Sequence, residues 1–169
     1  SLPHVMGTDP VGEVVALGAD VSGLAISDRV GVHTPLHSDT CVRNQESRDR
    51  GPLGLVGITC WGGYAEYAAV RAGNCFVLPD ALDYPDANAI VRHMPTARHL
   101  LHKQAELQPG EWVLVMGATG GLASCCVQVA KRMGAKVIGA AGSDERVATA
   151  VAHFGADHGV NYRSQNLAK

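Results

Sequence analysis

The sequence predicts an α/β fold, in which a β-rich part of small-barrel character precedes part of a doubly wound parallel sheet. Three observations carry this. Between residues 111 and 141 an apolar run, a small-residue turn, an amphipathic segment and a second apolar run follow one another. That succession within about 30 residues is a βαβ unit. The same rhythm resumes with a helical stretch from 144 to about 154 and a strand at 159–162. Upstream, short β segments at 12–17 and 28–32 are separated by glycine turns and show nothing of that rhythm. The two parts are assigned to residues 1–84 and 85–169.

Composition narrows the function classes. The chain has 169 residues, 46% hydrophobic and 18% charged, which suits a core-rich fold and excludes a disordered one. A net charge of −2 without a basic block gives no footprint for nucleic acid or an anionic membrane. No apolar run approaches the roughly 18 residues of a membrane span. The opening SLPHVMGTD has neither the basic start nor the apolar core of a signal peptide. Five cysteines, at 41, 60, 75, 125 and 126, are an odd number without framework spacing, and they place the chain in a reducing cytoplasm.

In chain order, GEVVAL at 12–17 and DRVGV at 28–32 are strands around a turn at 18–23. Residues 33–55 are polar and breaker-rich, a surface loop whose Arg43, Arg48 and Arg50 are interleaved with acids and solvated. Residues 62–70 alternate as a strand after a glycine pair, and 75–78 form another before Pro79. Pro85 and early acids start a helix over 83–91, and a second helix follows over 95–103. Residues 112–116 are too short for a helix and rich in Val, so they form a buried strand. Leu122, Cys126, Val129, Ala130 and Met133 share one helical stripe, Lys131 and Arg132 sit in its last turn, and Gly134 is the C′ stop. A strand at 136–140 completes the unit.

The turn between the first strand and helix carries the chemistry. A pyrophosphate sits on free N–H groups at a helix N-terminus only where no Cβ stands in the way. Gly120 and Gly121 clear that space, flanked by Ala118, Thr119 and Leu122. The fit to G-x-G-x-x-G is partial, reading Ala118-x-Gly120-x-x-Ala123, with alanine acceptable at the last position and a departure at the first. A structural βαβ turn without a ligand is the plainer alternative.

Six segments then fall in order: Gly12-Glu13-Val14-Val15 to Gly18; Ser27-Asp28-Arg29-Val30; Gly62-Gly63-Tyr64-Ala65-Glu66-Tyr67; Leu107-x-Pro109-Gly110; Ala118-Thr119-Gly120-Gly121; and Ala130-Lys131-x-x-Gly134-Ala135. Together they resemble the medium-chain dehydrogenase/reductase superfamily nearly end to end. The Ala-x-Gly-Gly turn, Ala-Gly-Ser after the second strand and Asn161-Tyr162-Arg163 are most similar to its quinone oxidoreductase (zeta-crystallin-like) branch. The resemblance implies part of a GroES-like catalytic domain followed by part of a Rossmann sheet, in a chain covering about half of a typical member.

It also implies no zinc. Where zinc-dependent members carry Gly-His-Glu, this chain has Gly7-Thr8-Asp9. The later cysteine ligand falls at Arg92 or His93, and of the four-cysteine structural lobe only Cys41 remains, with Asn44, Ser47 and Leu55 where partners would stand. His99 and His102, three apart on a helix, lack a third ligand, and Cys125 and Cys126 point in different directions as core packing.

For the cofactor, an NAD-selective site needs an acid about 20 residues past the turn. Counting from Gly120 reaches Ala140 and Ala141, which carry no charge and so permit a 2′-phosphate. By resemblance Gly142, Ser143, Arg146 and Tyr162 surround that phosphate, while Thr96 lies near the nicotinamide; a helix N-cap is the plainer role for Thr96, and the two are compatible. Asp144 and Glu145 weaken the field of Arg146. The expected protein is an NADPH-dependent reductase acting on a small quinone or activated-alkene carbonyl compound, a homo-oligomer in its full-length form. An alcohol or aldehyde dehydrogenase of the same superfamily, or a non-enzymatic nucleotide-binding relative, are the alternatives.

Overall fold

The computed structural model describes residues 3–36 and 54–165, and the chain divides into two units, Ser1–Arg92 and His93–Lys169. Arg43, Arg48, Arg50, Cys41, Asn44 and Ser47 lie outside the described residues. No helix among the described residues is long and apolar enough to cross a membrane.

In the first unit, β1 (Val11–Glu13), β2 (Arg29–Val32) and β5 (Cys75–Val77) form an antiparallel sheet with β2 in the middle. β3 (Pro35–Leu36) pairs with β4 (Gly54–Leu55) in a two-stranded ladder. α1 (Tyr84–Ile90) starts where the sequence places it. Asp83 is the N-cap and accepts from the Asp86 N–H at 2.8 Å, with proline in the first turn. Leu78, Ala87 and Val91 are buried together against Val11, Leu82 and Tyr84. Arg29 fastens the connection into α1 by donating to the carbonyls of Pro79, Asp80 and Leu82 while its guanidinium lies over the Tyr84 ring.

Two expected strands differ. Of residues 12–17 only the start is paired, and residues 62–70 form no strand at all. The N–H groups of Gly62, Gly63 and Tyr64 instead donate to the carbonyls of Val5, Gly7 and Met6. That approach is open to glycine alone, since a Cβ on Gly62 would stand 2.4 Å from the Gly7 oxygen. Beyond this crossing an open trough of ≈ 820 Å³, lined by Val15, Leu17, Tyr67 and Ala69 among others, separates the two segments, so neither finds the other as a ladder partner.

The second unit follows the βαβ pattern closely. β6 (Trp112–Met116), β7 (Lys136–Ala141) and β8 (His158–Asn161) are parallel, in that order, with Val113 opposite Val137 and Gly139 opposite Gly159. α2 (His93–Arg98) continues as a π-helical turn to Gln104 and packs on α3 (Gly121–Arg132). α4 (Asp144–Ala152) packs on β7 and β8. Gly134 and Gly155 stop α3 and α4 at φ +81° and +84°.

α3 buries a wider arc than the single stripe expected. Ser124, Cys125, Cys126, Val127 and Ala130 are all buried, because the sheet covers one side of the helix and α2 another. Both cysteines therefore lie in the same core cluster, although successive side chains diverge around the helix. Burial pushes both thiols upward, with Ser124 partly offsetting the effect at Cys125 and Cys125 adding to it at Cys126.

β6 is not buried on both faces. Val113 and Val115 turn toward α3, while Trp112, Leu114 and Met116 are 49%, 48% and 52% exposed. α3 and α4 both cover the face carrying Val113, Val137 and Gly139, so the opposite face has no helix among the described residues. On it the Trp112 ring stacks on His158 at 5.4 Å, with the Lys136 Nζ 5.3 Å from the ring centre.

Under the helices the packing is close. A Cβ on Gly139 would meet the methyl groups of Ala150, Ala156 and Ala118 at 3.1, 3.2 and 3.3 Å. Gly139→Val overfills this contact and should cost about 1–3 kcal/mol of stability, read from denaturant unfolding. At the other end of the sheet Asp157 accepts from Lys131 Nζ at 2.7 and 2.8 Å and from the Val137 N–H. These bonds, Lys131 foremost, hold its carboxyl below the ordinary 3.8. A depressed carboxylate stabilises the fold above its unfolded-state pKa and loses that contribution as pH falls through the folded-state value. Asp157→Asn should therefore lower the thermal midpoint at pH 7, and the gap to the wild-type protein should close on acidification below the folded-state value.

Candidate functional site

The three parallel strands end side by side, and their carboxyl ends frame a concavity of ≈ 310 Å³. Gly117, Thr119 and Gly120 line it from the turn after β6; Ala141, Gly142 and Arg146 line it from the turn after β7; Tyr162 closes the third side after β8.

The first turn is built from the sheet outward. Ala118 is wholly buried and its N–H donates to the Ala140 carbonyl at 3.0 Å, which pins the turn to β7. Gly117 adopts φ +63° and accepts from the Gly120 N–H at 2.8 Å. Gly120 is the N-cap of α3, and no side chain caps that helix. Its first-turn N–H groups thus face a bare glycine turn, the arrangement that accepts an anion.

The second turn differs in kind. Ser143 caps α4 by accepting from the Arg146 N–H at 3.4 Å. Gly142 leaves room for the Tyr162 hydroxyl, which would stand 2.8 Å from a Cβ at that position. No carboxylate ends β7, where Ala140 and Ala141 are buried. The acid that follows, Asp144, is engaged at Oδ1 by the Asn161 amide at 2.7 Å.

Of the residues singled out from the sequence, Thr119, Gly120, Gly142, Arg146 and Tyr162 line this concavity. The side chains of Ala118 and Leu122 belong to the core, so only the backbone there faces the turn. Ser143 serves α4 as its cap. Gly121 lies under the His93 ring, whose Nε2 would be 3.0 Å from a Cβ. Thr96 is not an N-cap, because α2 already begins at His93 and Thr96 falls within it. Gly117, Ala141, His93 and Asn161 were not among the candidates. Its being a glycine was the one local signal for Gly117, and the others depend on contacts across 17 residues or more of chain.

The segment aligned with a zinc site has a different donor set. Thr8 Oγ1 donates to Asp9 Oδ2 at 2.6 Å, buried Thr34 donates to the Thr8 carbonyl at 2.6 Å, and Arg92 pairs with Asp9 at 3.6 Å. A guanidinium cannot ligate a metal, and among the described residues no three His, Cys, Asp or Glu side chains converge. His99 is engaged by Gln104 at 3.2 Å.

Comparison with known proteins places this geometry. Residues 1–80 match the family described as the alcohol dehydrogenase GroES-like domain, and residues 121–169 match the zinc-binding dehydrogenase family. A quinone oxidoreductase of Pseudomonas aeruginosa is 30% identical over 99% of this chain and 44% of its own length. An alcohol dehydrogenase of Geobacillus stearothermophilus is 34% identical over 99% of this chain and 50% of its own. The chain thus spans about half the length of these curated relatives. Among solved structures, an NAD-dependent alcohol dehydrogenase superposes with a TM-score of 0.87 at 35% identity, covering 96% of this chain and 48% of that one. The Escherichia coli quinone oxidoreductase, solved with NADPH, gives 0.77 at 28% identity, covering 99% and 44%.

Gly142→Ala should leave unfolding close to the wild-type protein, since the Tyr162 ring and the neighbouring Arg163 can give way. The displaced wall should weaken nicotinamide-dinucleotide binding several-fold in a calorimetric titration.

Proposed function

The chain belongs to the medium-chain dehydrogenase/reductase superfamily, and from that premise we propose that it is part of a zinc-independent, NADPH-dependent oxidoreductase acting on a quinone or enone. Its first unit is part of a GroES-like domain and its second the beginning of a Rossmann sheet. The observation that carries the reading is the end of β7. An uncharged Ala141-Gly142 stands there in place of an acid, with Arg146 and the Tyr162 hydroxyl at the same concavity. An acid at this point would accept from a ribose 2′-OH and repel a 2′-phosphate; a cation does the reverse.

The residues fit the cofactor from end to end of the unit. The uncapped start of α3, cleared by Gly120, takes the pyrophosphate. Gly142 lets the Tyr162 hydroxyl close on the second turn, Ser143 keeps α4 in register beneath it, and Arg146 and Tyr162 take the 2′-phosphate. Thr96, on the helix that packs against α3, is assigned to the nicotinamide end. When bound, the nicotinamide supplies the hydride. A donor set of Thr8, Asp9 and Arg92 does not suit zinc, so the acceptor carbonyl is polarised by hydrogen bonding instead. The acceptor is a small molecule. The four described cysteines are all unpaired, which suits a cytoplasmic protein.

An alcohol dehydrogenase reading is favoured by the relatives of that name, and turnover separates the two. In calorimetry NADPH should bind at least about tenfold more tightly than NADH, with the difference erased by Arg146→Ala. Equal affinities would sink the NADPH assignment. Loss of NADPH absorbance with quinones or enones, and none with simple ketones, would support the acceptor class.

A further inference from the structure

A second arginine, Arg163, reaches the Gly142 turn at the edge of the concavity, and a buried amide holds its backbone. Asn161, the last residue of β8, is 9% exposed and uses its side chain at both ends. Its Oδ1 accepts from the Arg163 N–H at 3.1 Å and its Nδ2 donates to Asp144 Oδ1 at 2.7 Å. Its own N–H donates to Gln165 Oε1 at 3.0 Å, and its carbonyl accepts from the N–H groups of Ser164 and Gln165 at 3.2 and 2.9 Å. These bonds fold residues 161–165 into a closed turn and tie that turn to the start of α4.

The turn brings Tyr162 and Arg163 to the same point. The Tyr162 hydroxyl would lie 2.8 Å from a Cβ on Gly142, and Arg163 Nε would lie 3.4 Å from it. Arg146 reaches the concavity from α4. Among the described residues neither guanidinium takes part in an ion pair. The Asp144 carboxylate, which would otherwise compete for these cations, is bonded to the Asn161 amide.

We propose that Arg163 is a second specificity-determining cation for a phosphate monoester on the adenosine ribose, and that Asn161 is its positioning residue. The inference rests on the NADPH reading above. A phosphate monoester carries about −1.5 to −2 charges at neutral pH, more than one guanidinium balances. A second guanidinium supplies further charge-assisted hydrogen bonds to the remaining phosphate oxygens. By engaging Asp144 while fixing the Arg163 backbone, Asn161 restrains the acid and presents the cation with one side chain.

The test compares adenosine 2′,5′-bisphosphate with adenosine 5′-monophosphate in calorimetric titrations of the 169-residue chain. Arg163→Ala should weaken the bisphosphate about tenfold or more and leave the monophosphate within about twofold. Arg163→Lys should retain part of the preference, having the charge without the fork. Asn161→Ala should reduce the preference too, and in Asn161→Ala/Arg163→Ala the two losses should fall short of their product, because the amide acts in part through the arginine. A merely structural Asn161 would weaken both nucleotides alike, which would remove it from the proposal. If Arg163→Ala keeps the full preference while Arg146→Ala loses it, the second cation is refuted and the NADPH reading stands. If the wild-type chain shows no preference, the NADPH reading has failed and this inference with it.

Discussion

The parallel unit depends on one close approach. At Gly139 the middle strand comes within methyl contact of three alanines, Ala118 from the first turn, Ala150 from α4 and Ala156 from the segment leading to β8. Even a methyl group at 139 would crowd these three, so the sheet, the turn and the helix are set at a fixed spacing by the absence of a side chain. The concavity inherits that spacing. Ala118 packs inward against Gly139 and bonds to Ala140, and its neighbours Gly117, Thr119 and Gly120 form the floor of the site. With only 5% aromatic residues, the chain relies on such contacts between small groups more than on burying rings.

How legible each part was follows from the range of the contacts that define it. β6, α3, β7 and α4 appear within a residue or two of where periodicity and the glycines at 134 and 155 put them, because caps, stops and helical stripes are local. The strand at 62–70 had equally regular alternation and does not form, because a strand also needs a partner, and Gly62, Gly63 and Tyr64 donate to Val5, Gly7 and Met6 instead. Burial of β6 was misjudged for the same reason: a run of apolar residues says nothing about how many faces are covered.

The site divides along the same line. Arg146 and Tyr162 could be found by counting from a glycine turn and by family resemblance. Asn161 enters the sequence reading only as a member of Asn161-Tyr162-Arg163, and its own role comes from a hydrogen bond to Asp144, 17 residues earlier. His93 lies over Gly121 from a different helix. In the first unit, the Thr8–Asp9 pair reads from sequence only as a missing histidine; the structure shows a carboxylate paired with the Arg92 cation.

The order β6-β7-β8 has a consequence for biosynthesis. β7 and β8 each pair with the strand made immediately before them, so loop closure stays short at both steps. A chain leaving the ribosome can assemble the glycine turn first, the Gly142 turn second and the Tyr162 wall last. The ability to hold an anion would then precede the ability to choose among nucleotides, since the residues assigned to that choice come from the second turn and the wall after it.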